Sequence, residues 1–482
     1  MEKTIENKEH RQLQFVNWFL LFLFAMQPIM DVASYWLTEL GHGTAMMLVL
    51  RTFLFFATAL IGFLVSRKKK MYFILAGILG VFWVVHYLNC IRIGYPDLMV
   101  DLNNYFRLIQ PIVFTLAFLS IFRFYGTEKP PIKKAFLINY GLILFVVILS
   151  IITGTDPHTY TNTGVGIKGW FYTGNAQSAV LAMIIPIVLY FAYQSGKKLL
   201  FLCAGVVCYA HLFLTGTKIT YFSIFVFTGG FLLALIFAKS KQWFYYVIPV
   251  VLAALCIVFY PFSPMNRTNS SHNDFVVQEQ GEIDDQFETP PEEEKPDALD
   301  PDSNYYGEYY QLYMGIKTYA PMVEKFGLEA VLEQTDYTTD MGKLSNARIT
   351  KNNYNFILFG QQDLLTKMFG MHYNMELCGS QNYDSENDFL GILFLYGYVG
   401  FSLYLAFTAG FIIYFLYHLI RSFKQVFSVE FICVLVGLCM ALFTAIFTAG
   451  MLRRPNASFY MSILLAYGCY LVWTAKKEKN TR

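Results

Sequence analysis

Residues 199–238 read LLFLCAGVVCYAHLFLTGTKITYFSIFVFTGGFLLALIFA. Two apolar runs, 199–215 and 219–238, flank a tight turn, Thr215-Gly216-Thr217-Lys218. Each run is close to the length a helix needs to cross about 30 Å of hydrocarbon at about 1.5 Å per residue. A membrane β-barrel would need short segments alternating between apolar and polar residues, and none occurs here. The stretch therefore predicts a hairpin of two transmembrane helices.

The same pattern recurs on both sides, at 15–37, 44–66, 71–91, 105–122, 135–153, 175–194, 243–262, 388–420, 428–450 and 456–474, for about twelve helices in all. Composition agrees: 56% of the 482 residues are hydrophobic and 15% charged, against roughly 25% charged in soluble domains. The predicted fold class is all-α, a polytopic membrane helical bundle in contact with the lipid bilayer. The first apolar block lacks a small-residue cleavage site and reads as an anchor rather than a removable signal peptide. A net charge of +2 gives no reason to expect a nucleic-acid partner. Of the eight cysteines, seven fall in or beside apolar spans, with no disulfide framework or metal-ligand spacing. No cofactor and no metal site are expected.

A cytoplasmic N-terminus places Arg67-Lys68-Lys69-Lys70, Lys129 to Lys134, Lys197-Lys198, Lys239 to Lys241, Arg421 to Lys424 and Lys476 to Lys479 on one side, as the positive-inside bias requires. The expected organisation is nine helices in 1–262, an extracytoplasmic loop over 263–387, and three helices in 388–482 with a cytoplasmic C-terminus. Within the loop, 263–303 is acidic, with Pro290-Pro291 and Glu292-Glu293-Glu294, and disorder is its expected state. The part from 304 to 387 is expected to be partly helical and to fold against the membrane mouth, since Met322 to Leu332 and Ala347 to Phe359 show helical apolar spacing. Tyr306, Tyr309, Tyr310 and Tyr313 recur near one helical face. Tyr306 and Tyr310 are candidates for stacking on sugars, and an interfacial aromatic belt is the competing reading.

Ionisable groups inside a span are costly and call for a partner or a watery cavity. Asp31 and Arg51 match in depth on the first two helices and are expected to form a structural ion pair, with substrate contact as the competing reading, while His86 is expected to be a satisfied packing histidine. The outer face holds cations that the positive-inside bias does not predict: Arg92, Arg107, Lys168, Lys218, Arg348, Arg453 and Arg454. Arginine forks and lysine point charges at headgroup level suit a diphosphate joined to a long lipid. Lys218, Arg348, Arg453, Arg454 and Arg107 are the candidates, and snorkelling to anionic headgroups is the competing reading.

Three stretches carry a family resemblance: Leu214-Thr215-Gly216-Thr217-Lys218-Ile219-Thr220 after a mid-chain helix, Asn346-Ala347-Arg348 leading to Met368-Phe369-Gly370, and Ser385-Glu386-Asn387-Asp388-Phe389-Leu390 followed by Tyr396-Gly397-Tyr398-Val399-Gly400. In order and topology the chain resembles the O-antigen ligase and polymerase family. The resemblance implies a glycosyltransferase of the bacterial cytoplasmic membrane, active on its extracytoplasmic face. It would take a glycan from an undecaprenyl diphosphate-type donor to an acceptor glycan or lipid, without a metal and with inversion, with other polysaccharide assembly proteins as partners. Where many of those ligases have His-Asn, this chain has Glu386-Asn387 and then Asp388. Glu386 or Asp388 is therefore the expected base, with Asn387 on a sugar; helix capping is the competing role for the acids. A flippase or transporter of lipid-linked oligosaccharide is the alternative. The lack of an internal repeat, with unusual cations at the outer surface rather than the midplane, favours the enzyme. A non-catalytic scaffold is a third reading.

Overall fold

A computed structural model describes residues 2–126, 128–161, 163–286, 304–448 and 450–480. All twelve apolar stretches are helical. The first nine helices are α1 (Glu2–Glu39), α2 (Ala45–Val65), α3 (Lys69–Arg92), α4 (Leu98–Tyr125), α5 (Ile132–Ile152), α6 (Gly174–Gln194), α7 (Lys198–Thr215), α8 (Lys218–Phe237) and α9 (Phe244–Val258). The loop carries α10 (Pro264–Gln286), α11 (Asn304–Gly315), α12 (Ala320–Phe326), α13 (Leu328–Thr335), α14 (Met341–Leu344), α15 (Ala347–Gly360) and α16 (Leu364–Phe369). The chain ends with α17 (Asp388–Arg421), α18 (Phe423–Val426), α19 (Val429–Phe447) and α20 (Pro455–Asn480). Among the described residues, eleven helices are long and apolar enough to cross a membrane, so this is a multi-pass membrane protein. The twelfth stretch, α9, has 15 residues and spans about 22 Å; Pro261 ends it through the short 3₁₀ turn Tyr260–Phe262.

The bundle is built around α6, which is buried on nearly every side against α5, α7, α8, α19 and α20. The connections α1–α2, α3–α4, α5–α6, α7–α8 and α19–α20 lie with the loop at one end. There Trp36 and Trp170 meet edge to face at 5.3 Å, the Ile167 N–H donates to Leu214 O at 2.9 Å, and Arg453 reaches Asp384. The connections holding Arg67 to Lys70, Lys129 to Lys134, Lys197-Lys198, Lys239 to Lys241 and Arg421 to Lys424 lie at the opposite end.

The segment from 304 to 387 has its own hydrophobic core, containing Tyr309, Tyr313, Tyr319, Leu332, Leu344, Tyr354 and Tyr383. The 263–303 stretch, expected to be disordered, opens instead with α10. The Ser263 hydroxyl accepts the Asn266 N–H at 3.1 Å, Met265 is buried, and Gln280 accepts the Met341 N–H at 2.9 Å. Those contacts supply the anchoring that composition alone does not reveal. The run Glu292-Glu293-Glu294 lies outside the described residues.

Two of the stretches that carry the family resemblance touch. Gly397 interrupts α17 with φ 64°, and a Cβ there would overlap the backbone of Met368 and Gly370. Gly370, at φ 94°, meets the backbone of Leu395 and Tyr396 in the same way. Only glycine combines these dihedrals with so close an approach. The end of α16 is thereby locked onto the kink of α17, and the first turns of α17 are fixed under the loop.

Candidate functional site

Asn387 is the N-cap of α17, its side-chain oxygen accepting the Leu390 N–H at 3.0 Å. The cap aligns Asp388, which is fully buried. Its Oδ2 accepts the Met451 and Leu452 N–H groups at 2.9 and 2.7 Å, and its Oδ1 accepts Arg453 Nε–H at 3.3 Å. Arg453 also donates to Asp384 Oδ1 at 2.5 Å and to Ser385 O at 2.6 Å. The 448–454 turn and the 384–388 segment are thus clamped by one guanidinium. Burial disfavours its charge, but Asp384 and Asp388 outweigh burial and push its pKa up. Asp384 is likewise pushed up by burial but held below the usual carboxylate range by Arg453, with Arg454 and Lys351 adding to the effect.

Glu386 belongs to a neighbouring cluster. Its Oε2 accepts Arg348 Nε–H at 3.1 Å and its Oε1 accepts Lys351 Nζ–H at 2.9 Å. Arg348 and Lys351 stand three residues apart on α15, hence on one face. Burial alone would raise the Glu386 pKa; Lys351 and then Arg348 overturn that and hold it below its ordinary value.

Beside the clamp lie two cavities. The larger, of about 250 Å³, is lined by Asp31, Ser34, Arg51, Asn103, Arg107, Gln110, Arg454 and Asn456 among others. The smaller, of about 20 Å³, is lined by Asn104, Arg107, Tyr373, Asp384, Leu395, Tyr396, Arg453 and Arg454. Arg107 and Arg454 line both. Arg51 and Asp31 form the expected pair at 3.6 Å, with Ser34 and Asn456 as further partners, and this pair is part of the cavity wall. Around the larger cavity three arginines, Arg51, Arg107 and Arg454, stand against one aspartate, Asp31, an excess of two positive charges.

Across nearly its whole length, residues 13–477, the chain matches a family model described as O-antigen ligase like membrane protein. The chain belongs to that family. Neither curated proteins nor solved structures returned a match.

In this O-antigen ligase like protein the residues singled out from sequence fall into separate places. Arg107, Arg453 and Arg454 come together at the two cavities. Arg348 meets Glu386 directly and lies near enough to Tyr160 to lower its proton affinity, which burial raises. Lys218 is exposed at the start of α8, at the same end of the bundle, but lines neither cavity. Tyr309 and Tyr313 are core residues, their hydroxyls donating to Tyr337 O and Thr338 O at 3.2 and 2.8 Å. Tyr306 is half-buried and Tyr310 exposed, and neither lines either of these two cavities. Arg92 pairs with Asp363 at 2.6 Å. His86 is buried and bonded on both sides, Nε2 to Asp101 Oδ1 at 2.8 Å and Nδ1 to Phe369 O at 2.7 Å. His86, Cys90 and Asp101 bring three donor atoms within 4.8 Å of one another, with both ring nitrogens already partnered.

Sequence reasoning did not select Asp384, Lys351, Asn103, Asn104 or Tyr373. Helical spacing from Arg348 could have found Lys351. Asp384 lies two residues before Glu386, in the same motif. Nothing in the sequence marks the two asparagines or Tyr373, because their place is set by how α4 and the loop pack.

Proposed function

We propose that the chain is a glycosyltransferase that moves a glycan from a polyprenyl diphosphate carrier of the undecaprenyl type to a hydroxyl of an acceptor glycan or lipid. The carrying observation is the convergence of Arg51, Arg107 and Arg454 on one cavity with an excess of two positive charges. A diphosphate esterified at both ends bears two negative charges, so the wall matches it in sign and amount. Arginine forks hold such oxygens in place.

In the proposed step the acceptor hydroxyl attacks the anomeric carbon as that carbon's bond to the diphosphate oxygen breaks, with inversion. The electron pair leaves with the prenyl diphosphate, and Arg107 with Arg454 stabilise the charge that builds there. Asp384, ionised and the one carboxylate in the smaller cavity's lining, takes the hydroxyl proton. Glu386 orders Arg348 and Lys351 at the rim, where they and Lys218 meet the glycan. Asp388, committed to two backbone N–H groups and Arg453, positions the turn that carries Arg454. The basic connections at the opposite end of the bundle support a cytoplasmic-membrane orientation with the site outside.

The test is transfer by purified protein in detergent from a prenyl diphosphate-linked oligosaccharide. Arg107→Ala and Arg454→Ala should each lower the rate by about 10²- to 10³-fold. Wild-type rates from both would refute the assignment. With no second compartment present, product formation also separates transfer from transport.

A further inference from the structure

The end of the bundle opposite the loop holds a cationic cavity of its own. Among the described residues α4 and α20 share the most extensive helix–helix contact, and where the pair ends a cavity of about 270 Å³ opens between them. Its wall carries Arg123 from the last turn of α4, and Tyr470, Trp473, Thr474 and Lys477 from α20. The Phe122 ring, also in the wall, meets the Tyr467 and Tyr470 rings at 5.8 Å each. The Tyr470 hydroxyl donates to Glu128 O at 3.2 Å, so the connection that follows α4 is held against α20.

Two features single this cavity out. First, Arg123 is positioned by stacking rather than by an ion pair: its guanidinium carbon stands 4.2 Å from the centroid of the Trp473 ring, a cation–π contact that orients the plane. Among the described residues no carboxylate or other hydrogen-bond acceptor takes its donors. Second, Arg123 and Lys477 are both in the wall and no carboxylate of the described residues joins them, an excess of two positive charges. Glu430 accepts the Tyr190 and Tyr467 hydroxyls at 3.1 and 2.5 Å and is not part of the wall.

We infer that this cavity binds the phosphate headgroup of an anionic phospholipid, taken from the leaflet that meets this end of the bundle. The Arg123 fork holds two phosphate oxygens and Lys477 supplies a point charge. Placement selects a lipid over a soluble phosphate. Arg123 closes α4, and Trp473 and Lys477 lie in the last turns of the apolar span Pro455–Lys477, where amphipathic rings and basic side chains sit at headgroup depth. Basic pockets between membrane helices at that depth hold anionic headgroups. The bound phosphate bridges α4 to α20. At their other ends the same two helices carry Arg107 and follow Arg454, so the bridge braces the pair that sets the spacing of those arginines. This inference stands whatever the arginine cavity binds.

The experiment titrates phosphatidylglycerol into delipidated full-length protein in a neutral detergent, reading the first bound lipid by native mass spectrometry and Tm by thermal unfolding. Phosphatidylglycerol should bind and raise Tm; phosphatidylcholine and inorganic phosphate at the same concentration should do neither. Arg123→Gln and Lys477→Gln should each weaken the first binding event by about fivefold. Lys197→Gln, which removes an equal charge from the same end outside the cavity, should leave it unchanged. Arg123→Lys, which keeps the charge and loses the fork, should fall between wild type and Arg123→Gln. Should Arg123→Gln fail to fold, Lys477→Gln at the exposed end of α20 carries the test. Unchanged affinity in Lys477→Gln, or an equal loss in Lys197→Gln, would reduce the site to diffuse attraction between basic side chains and headgroups. Equal stabilisation by inorganic phosphate would overturn the lipid in favour of a soluble anion.

Discussion

Arg453 and Arg454 are adjacent, and the structure gives them opposite surroundings. Arg453 is enclosed by Asp384, Asp388 and the Ser385 carbonyl, and its donors close a joint between two segments. Arg454 stands on the wall shared by the two cavities, with Arg107 beside it. A cation tied at each of its three nitrogens to a carboxylate or a carbonyl of the protein is structural, whatever its distance from the membrane surface. A cation on the wall of a space where positive charges outnumber negative ones adds its charge to that space.

The sharpest way to break that comparison is to remove each arginine in turn. Arg453→Met would leave Asp384 and the fully buried Asp388 without their cation, which for a buried pair costs about 3–5 kcal/mol. Thermal unfolding in detergent should show a large fall in Tm, with poor recovery of folded protein. Arg454→Met, which leaves both aspartates with Arg453, should show a smaller fall in Tm and lose transfer. If Arg453→Met folded normally and only lost activity, Arg453 itself would serve the substrate and the distinction between the two arginines would vanish.

A milder test compares the cavity with the rim. Lys218 is exposed and lines neither cavity, and exposed charges in water are screened. Lys218→Ala should therefore lower transfer by less than about tenfold, against the 10²-fold or greater loss expected for Arg107→Ala. Equal losses in a side-by-side rate measurement would show that the diphosphate contacts extend to the α7–α8 turn.

The layout of the bundle was legible because apolar length alone signals a span, and eleven of the twelve stretches have the length to cross. The Asp31–Arg51 pair was legible for a related reason, since an ion pair in hydrocarbon must be matched in depth. The site was legible only in part. Glu386 and Arg348 were both selected, and they touch. Asp388 looked like a candidate base because it opens a helix after a polar segment, but the two N–H groups that it accepts come from residues 451 and 452, more than sixty positions away. Tyr309 and Tyr313 share a helix with Tyr310, and only the folded loop core separates buried rings from exposed ones. In each case the missing information is a long-range contact that composition and spacing do not carry.

The smallest expected effect tests how much negative charge the clamp can hold. Glu376 is fully buried, and neither of its carboxylate oxygens has a hydrogen-bond partner among the described residues. Burial, and then Asp384, push its pKa well above the ordinary glutamate value, against the weaker pull of Arg453 and Lys351. One arginine already faces two aspartates, so a third carboxyl there has to stay protonated. A folded-state pKa above the unfolded value means that the native state binds more protons, and stability is then fully present below the unfolded pKa of about 4.3 and declines as pH rises toward the folded value. Glu376→Gln keeps the shape and removes the titration. Its Tm should match wild type near pH 4 and exceed it by a margin that grows from there to pH 8. A wild-type Tm that is flat over that range, with no gain from the glutamine, would mean that Glu376 is ionised and that the clamp has a further cationic or watery partner for it.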